Sequence, residues 1–309
     1  MIEYNKPPLL IEGQIEKLTH RGLLIDDIEK ARHYLSNISY YRLRAYTFPF
    51  QDNINESEYH RFLGDDIHFS DIIDLYYFDS KLRAFVFNAI EKIEVAVRTK
   101  ITYEYILETK DSHWFLNANL YFNSDKYGEI KEQIQSEIDR SNEEFIKHYR
   151  EKYDIPVFPP AWMTLEILSF GKLIRLFACL KRRSHPKEEI TKAFGLPESF
   201  LLENWMHAIS ILRNCCAHHS RIWNRRFTVG IKLPYNISSP FIDRRTIKTI
   251  DNTKLFAFLS CMKYMLDTIN PNNDFKKNLV DIINGGGNLL QLKDMGFPTH
   301  WESLDIWKN

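Results

Sequence analysis

The sequence predicts an all-α fold, and three observations support that prediction. Apolar residues recur at three- and four-residue intervals through long segments, which is the spacing of amphipathic helices. The every-second-residue alternation of half-buried strands is scarce. Only 11 glycines and 12 prolines interrupt the 309 residues, of which 44% are hydrophobic, as in an ordinary globular protein. We therefore expect a core of packed helices.

The first 60 residues predict a small helical appendage. Residues 11–46 contain two short helices and a third segment, whereas residues 51–68 are polar and predict a loop. The first domain boundary is therefore placed near residue 60. The apolar side chains expected to form the core of the appendage are Leu18, Leu23, Ile25, Ile28, Ala31 and Leu35.

Residues 61–284 predict the main helical core, and residues 285–309 a short tail that begins with three glycines. The longest helical pattern in this core runs from 70 to 109. A charged segment follows and predicts a helix with a thin apolar face, whereas 227–250 predict irregular structure. The helices expected after the longest one span 124–152, 161–180 with a break near Phe170, 199–222, 252–269 and 272–284.

Overall composition excludes several classes of protein. Lys plus Arg equals Asp plus Glu at 41 each, so the net charge gives no argument for a nucleic-acid or membrane partner. No apolar run approaches the roughly 18 residues of a membrane helix. The first ten residues lack the basic and apolar regions of a secretory signal. We therefore expect a cytoplasmic protein with no membrane partner.

Four cysteines are too few for disulfide bonds to stabilise a chain of this length. Buried free thiols in a reducing compartment are therefore expected. Cys215 and His219 lie four residues apart and could share a zinc ion if both were helical. Two further ligands would be needed, and no second Cys/His pair has the necessary spacing. The prediction is therefore that the protein has neither a metal nor a cofactor.

The segment 199–222 has two contrasting faces when it is drawn as a helix at about 100° per residue. The apolar face holds Leu202, Trp205, Ile209, Leu212 and Cys216, and the opposite, polar face holds His207, Ser210, Asn214, His218 and Arg221. Arg213 lies at the border between the two faces. The polar face is consistent with a hydrogen-bonded network between packed helices, or with a functional site.

Charge along the chain favours a functional site. Residues 204–242 contain no Asp or Glu, although they include three histidines and five Lys or Arg residues. A local excess of cations attracts anions, above all phosphates. His suits acid–base work near neutral pH, and Arg can stabilise charge developing on a phosphate. RNA supplies its own nucleophile, the 2′-hydroxyl, and the chain has neither a Walker-type glycine loop nor an HExxH sequence.

The run Arg213-Asn214-Cys215-Cys216-Ala217-His218 resembles the R-X4-6-H motif of HEPN-superfamily ribonucleases. The longer run RNCCAHHSRIWNR is more specific and resembles the Abi-like (AbiD/AbiF) abortive-infection proteins of bacteria. Further blocks near residues 14–25, 39–46, 78–98 and 160–171 resemble that family in the same order. The resemblance extends over about residues 6–230.

This resemblance implies a HEPN-like helical bundle with a small N-terminal appendage. It also implies a toxin-like endoribonuclease of phage defence, which cleaves RNA without metal and leaves 2′,3′-cyclic phosphate ends. Arg213 and His218 correspond to the catalytic pair, and Asn214 to the polar position beside it. A homodimer and restraint by a small RNA or protein inhibitor are implied too. The residues expected to bind RNA are His219, Arg221, Trp223, Asn224, Arg225 and Arg226.

Three residues are candidates for a supporting role. Glu94 and Arg98 lie four residues apart on the longest helix, where they form an ordinary ion pair or line the same cleft and orient His218. His207 belongs to the polar face defined above. Trp223 either packs in the core or stacks on an RNA base. The aromatic and basic residues of 40–46 pack the appendage on the core or bind RNA.

Two other functions remain open. The first is a non-catalytic, dimeric RNA-binding protein, in which the same cations bind RNA and nothing is cleaved. The second is a purely structural helical protein, which leaves the acid-free segment 204–242 unexplained.

Overall fold

The computed structural model describes residue 3, residues 7–55 and residues 60–308, and these form helices joined by turns. The described residues contain isolated bridges but no strand, so the prediction of an all-α fold is confirmed. The helices are α1 (Ile11–His20), α2 (Ile28–Ile38), α3 (Tyr40–Thr47), α4 (Phe69–Thr109), α5 (Ser124–Arg140), α6 (Glu144–Lys152), α7 (Ala161–Thr164), α8 (Phe170–Cys179), α9 (His185–Ala193), α10 (Ser199–Ala217), α11 (Arg244–Ile247), α12 (Leu255–Ile269) and α13 (Phe275–Asn284).

The chain forms two compact units. The first comprises Met1–Arg83 and Leu279–Gln291, and the second comprises Ala84–Asn278 and Leu292–Asn309. A compact unit need not fold independently, so the three-part division predicted at 60/61 and 284/285 stays a prediction. Residues 56–59, at the first of those boundaries, lie outside the described residues.

The first unit is built around the packing of α1 on α2. Four of the six expected core residues are buried, but Ile28 is exposed and Ile25 is half-buried. Ile28 opens α2 directly after its N-cap, Asp27, whose carboxylate accepts from the Lys30 amide. The predicted stripe is therefore wrong at this position, because a residue in the first turn of α2 faces solvent.

A buried polar network joins α3 to the beginning of α4 within the first unit. The Tyr46 hydroxyl donates to Asp79 over 2.7 Å and accepts from Arg83 over 3.1 Å, and Arg83 also pairs with Asp79. Burial and the nearby Asp79 carboxylate raise the pKa of Tyr46 well above its ordinary value. Tyr46 therefore packs, whereas its neighbour Tyr41 is exposed. The interpretation of 40–46 as a packing surface holds for only part of the strip.

The second unit is organised around α10 and α12. Helix α10 packs against α8, α9 and α12, and all five residues of its expected apolar face are buried, as predicted. Every residue from Leu255 to Leu266 of α12 is buried. This dense core holds α10 firmly and leaves its opposite face directed away from the core.

Two predicted helical segments are each divided in two, and only for 161–180 was a break predicted, near Phe170. The segment 124–152 breaks at 141–143, where Ser141 is extended and its hydroxyl accepts from the Glu143 amide. Ser favours such local bonds over a continued helix. The segment 161–180 breaks at 165–169, where buried Arg98 donates to the carbonyls of Leu165, Glu166 and Leu168. Helix α9 was not predicted from the sequence.

Three further predictions about the chain can be compared with the structure. All four cysteines are buried and free, as expected. No helix within the described ranges is long and apolar enough to cross a membrane. The long pattern predicted at 70–109 is α4, with its bounds confirmed to within one residue.

Candidate functional site

Helix α10 ends earlier than the wheel assumed. It stops at Ala217, and His219 adopts the left-handed conformation with a φ of 55°. The Ser220 amide then donates to the Cys215 carbonyl over 2.8 Å, and the His219 amide donates to that of Cys216 over 3.0 Å. These two bonds form a Schellman motif, the usual way of satisfying the last carbonyls of a helix. The predicted helix 199–222 is therefore wrong beyond residue 217.

This early end changes the composition of the polar face. His207, Ser210 and Asn214 stay on α10, and His218 caps it, but Arg221 lies beyond the helix. His207, Asn214 and His218 are exposed, and their side chains make no hydrogen bond within the described ranges. The polar face is thus open to solvent. A buried network between packed helices does not explain it within one chain.

Arg213 is held against α4 by an aromatic ring. Its guanidinium carbon lies 5.5 Å from the centroid of the Phe87 ring, which is a favourable cation–π distance. Arg213 is half-buried, and it forms no ion pair within the part of the chain that the structure describes. Its hydrogen-bond donors are therefore available to an anion. Sequence reasoning missed Phe87, because nothing in the pattern of α4 shows which residue of another helix it contacts.

Several residues of the loop after α10 are held in place by hydrogen bonds. Arg221 donates to the Asn224 carbonyl at 3.4 Å, and Arg225 donates to the Arg221 carbonyl at 3.3 Å. The Asn224 side chain accepts from Lys254 over 3.0 Å, at a left-handed backbone position with a φ of 43°. Within this loop, these residues fix the backbone that follows His218. Their predicted contact with RNA stays a prediction.

Trp223 and Arg226 have opposite surroundings. Trp223 is fully buried, with the Arg221 guanidinium 5.7 Å from its ring centroid. The hypothesis that Trp223 stacks on an RNA base is therefore corrected, because a buried indole offers no face to a ligand. Arg226 is exposed and forms a 2.7 Å ion pair with Asp251. RNA would have to compete with that carboxylate for Arg226.

Glu94 and Arg98 form the ion pair expected from their spacing, with an N–O distance of 2.7 Å. Arg98 directs its other donors to the carbonyls of residues 165–168, which end α7. No hydrogen bond joins either residue to His218 among the described residues. The observed contacts of Arg98 thus serve the fold, and the role of this pair in orienting His218 stays a prediction.

The early end of α10 also means that Cys215 and His219 lack the helical i, i+4 spacing on which the zinc hypothesis depended. Cys215 lies in the last turn of α10, whereas His219 lies past the helix end with a left-handed backbone. The two are therefore not neighbours on one helix face. Burial raises the pKa of the Cys215 thiol, which disfavours the thiolate that zinc needs. The described residues contain no group of three His, Cys, Asp or Glu side chains that could hold a metal ion.

The chain matches a known protein family. The family described as Abi-like protein matches residues 33–224, more than half of the chain. The matched range extends from α2 to the loop after α10 and includes Arg213, Asn214 and His218. No curated protein and no solved structure matches the chain.

Proposed function

The chain belongs to the Abi-like family of abortive-infection proteins, and from that premise we propose that it is a toxin-like, metal-independent endoribonuclease of the HEPN type. One observation carries the proposal. Arg213 and His218 flank the last turn of α10, and neither side chain forms a hydrogen bond or an ion pair within the described ranges, in a segment that contains no acid. A guanidinium with unbonded donors and an exposed imidazole at one end of a helix suit a substrate that carries a phosphate.

The chemistry follows from these two side chains and from RNA itself. The 2′-oxygen of a ribose attacks the neighbouring phosphorus, and the bond from phosphorus to the 5′-oxygen breaks. His218 accepts the 2′-hydroxyl proton, or donates one to the leaving 5′-oxygen. Arg213 stabilises the negative charge that builds up on the phosphate oxygens. Exposed Asn214 offers an amide that can position the phosphate.

This reaction needs both a base and an acid, whereas each chain offers one His218. A homodimer with two such pairs in one cleft would supply both groups. Helix α4 carries exposed apolar side chains, one of which, Phe87, contacts Arg213. Val95 lies about two turns further along α4 and about 80° around it from Phe87, whereas Leu107 lies on the opposite side of the helix. Phe87 and Val95 are therefore the candidates for a dimer contact among the exposed apolar residues Phe87, Val95, Tyr103 and Leu107.

We expect purified protein to cleave RNA in the presence of EDTA and to leave 2′,3′-cyclic phosphate and 5′-hydroxyl ends. His218→Ala and Arg213→Ala should each lower the rate at least about 100-fold, which is the typical contribution of a general acid–base group. The measurement is a gel assay of labelled RNA with end-group analysis.

His148→Ala is the matched control, because His148 is an exposed helical histidine outside the acid-free segment. It should cleave at the rate of the unmodified protein. Cleavage that persists in both His218→Ala and Arg213→Ala would contradict the proposed function.

The acid-free segment also supports a second candidate, an RNA-binding protein without turnover. The cleavage assay and a titration of RNA binding at several salt concentrations separate the two functions. The binding protein would be favoured by RNA binding that weakens steeply with salt and by the absence of cyclic phosphate ends. His218→Ala should then bind RNA as the unmodified protein does.

A further inference from the structure

We propose that single-stranded RNA is also bound at a second surface, formed by Phe200, Lys232, Tyr235 and Arg244. This inference rests on the proposed function and specifies its substrate. We refer to these four residues as the aromatic–cation surface. All four lie in the second compact unit, and none belongs to the Arg213–His218 site.

The surface consists of two cation–aromatic pairs. The Lys232 ammonium lies 4.7 Å from the Phe200 ring centroid, and the Arg244 guanidinium lies 5.1 Å from that of Tyr235. Phe200 is 36% exposed and Tyr235 is 52% exposed. Both cations are exposed, and neither has a carboxylate partner within the described part of the chain. Each pair thus offers the exposed part of an aromatic ring for a base and a positive charge without a carboxylate partner for a phosphate.

The two pairs are held close together by the segment that carries Lys232 and Tyr235. The Lys232 amide donates to the Asn204 side chain over 2.7 Å, and the Lys232 carbonyl accepts from the Trp205 indole over 2.7 Å. Gly230 lies so near Asn252 that a Cβ would sit 2.8 Å from its amide oxygen. Three residues of chain span at most about 11 Å, so one RNA strand can reach both pairs.

Local charge favours a polyanion over another class of partner. The residues from 204 to 242 contain no acid, and exposed Arg245 and Lys248 follow soon after. The first acid, Asp243, caps α11 by accepting from the Arg245 and Thr246 amides over 2.9 and 3.1 Å. Its carboxylate is thereby already engaged. Because stacking requires exposed base faces, the strand must be single.

Helix α10 connects this surface to the proposed catalytic pair. Phe200, His207 and Asn214 recur every seven residues and are all exposed, so they lie on one face of the helix. The distance along the helix axis from Phe200 to Asn214 is about 21 Å. A strand held at the aromatic–cation surface can therefore follow α10 to His218, with several nucleotides between the two contacts.

The chain offers a matched control pair in a different electrostatic setting. The Lys152 ammonium lies 5.4 Å from the Tyr153 ring, and Tyr153 is 47% exposed. Glu151 and Asp154 flank this pair in the sequence. It reproduces an exposed tyrosine ring beside a cation, with lysine in place of arginine. Acids flank it on both sides, whereas the one acid beside the Tyr235–Arg244 pair, Asp243, caps α11.

The experiment measures binding of full-length protein to a labelled, 2′-O-methylated single strand of about 12 nucleotides, a length within the usual range for such binding sites. The blocked 2′-oxygen prevents cleavage. Y235A/R244A should weaken binding about tenfold, which corresponds to about 1.4 kcal/mol. K152A/Y153A should bind like the unmodified protein. Unchanged melting temperatures establish that both variants are folded.

Several outcomes would overturn the aromatic–cation surface. They are unchanged binding by Y235A/R244A, an equal loss in K152A/Y153A, equal competition by duplex RNA, and no binding by the unmodified protein. Cleavage of a longer RNA by unmodified protein and His218→Ala is measured separately. If cleavage requires His218 but binding does not depend on Tyr235, only the aromatic–cation surface is contradicted. If binding depends on Tyr235 but no RNA is cleaved, only the proposed nuclease activity is contradicted.

Discussion

At the scale of single residues, the end of α10 depends on His219. A residue other than glycine pays a conformational penalty in the left-handed region, and the penalty is greatest for β-branched side chains. His219 occupies that region with a φ of 55°, where two backbone bonds close the helix. The position of His218 at the end of α10 therefore depends on the backbone of its neighbour.

We expect His219→Val to be less stable than His219→Gly by about 1–2 kcal/mol. Both substitutions remove the imidazole and all of its contacts, so their difference reports mainly the left-handed backbone, reduced by the greater flexibility of glycine in the unfolded chain. The measurement is the free energy of unfolding in urea. Equal stability of the two variants would show that residue 219 is not left-handed.

The sequence predicted the apolar face of α10 but not its end, and the physical reason lies in this residue. Leu202, Trp205 and Ile209 are buried as the periodicity requires. The stop at Ala217 has no glycine or asparagine after it, and these are the residues that usually mark a Schellman motif. The resemblance identified Arg213 and His218, whereas the support from Phe87 depends on tertiary packing that periodicity does not encode.

At the scale of helices, α5 and α8 are joined through a charged cluster. The Glu137 side chain is only 6% exposed, and it accepts from Arg140 of its own helix and from Lys172 of α8. Burial raises the pKa of Glu137, but the hydrogen bonds from Lys172 and Arg140 outweigh it and keep the pKa below its ordinary value of 4.5. The folded state therefore favours the ionised carboxylate.

We expect Glu137→Gln to lower the free energy of unfolding by about 1 kcal/mol at neutral pH. A lowered pKa in the folded state stabilises it above the unfolded pKa, and this contribution is lost as the pH falls through the folded value. The difference between the two proteins should thus shrink below about pH 4.5. Urea unfolding across pH measures it, and a difference that is constant with pH would contradict the cluster's role.

At the scale of the whole molecule, a neutral chain has separated its charges along the sequence. Lys plus Arg and Asp plus Glu balance at 41 each, yet 204–242 contain no acid. This segment begins in α10 and carries the Arg213–His218 pair together with Lys232 and Tyr235 of the aromatic–cation surface. The proposed catalysis and the proposed binding of RNA thus draw on the same local excess of cations. The family match ends at residue 224, so the part of the segment that carries Lys232 and Tyr235 lies outside it.

The proposed reaction also requires a second copy of the chain, and exposed Val95 on α4 tests that requirement. We expect Val95→Glu to convert a dimer to a monomer and to abolish cleavage, because Val95 is 57% exposed about two helical turns from Phe87, and a buried unpaired carboxylate would disfavour association. Sedimentation and the EDTA cleavage assay measure the two effects. Val157→Glu is the matched control, since Val157 is 67% exposed but lies outside α4. If Val95→Glu remains dimeric and active, the second copy does not dock on this part of α4. If it becomes monomeric and still cleaves RNA, one chain supplies both the acid and the base.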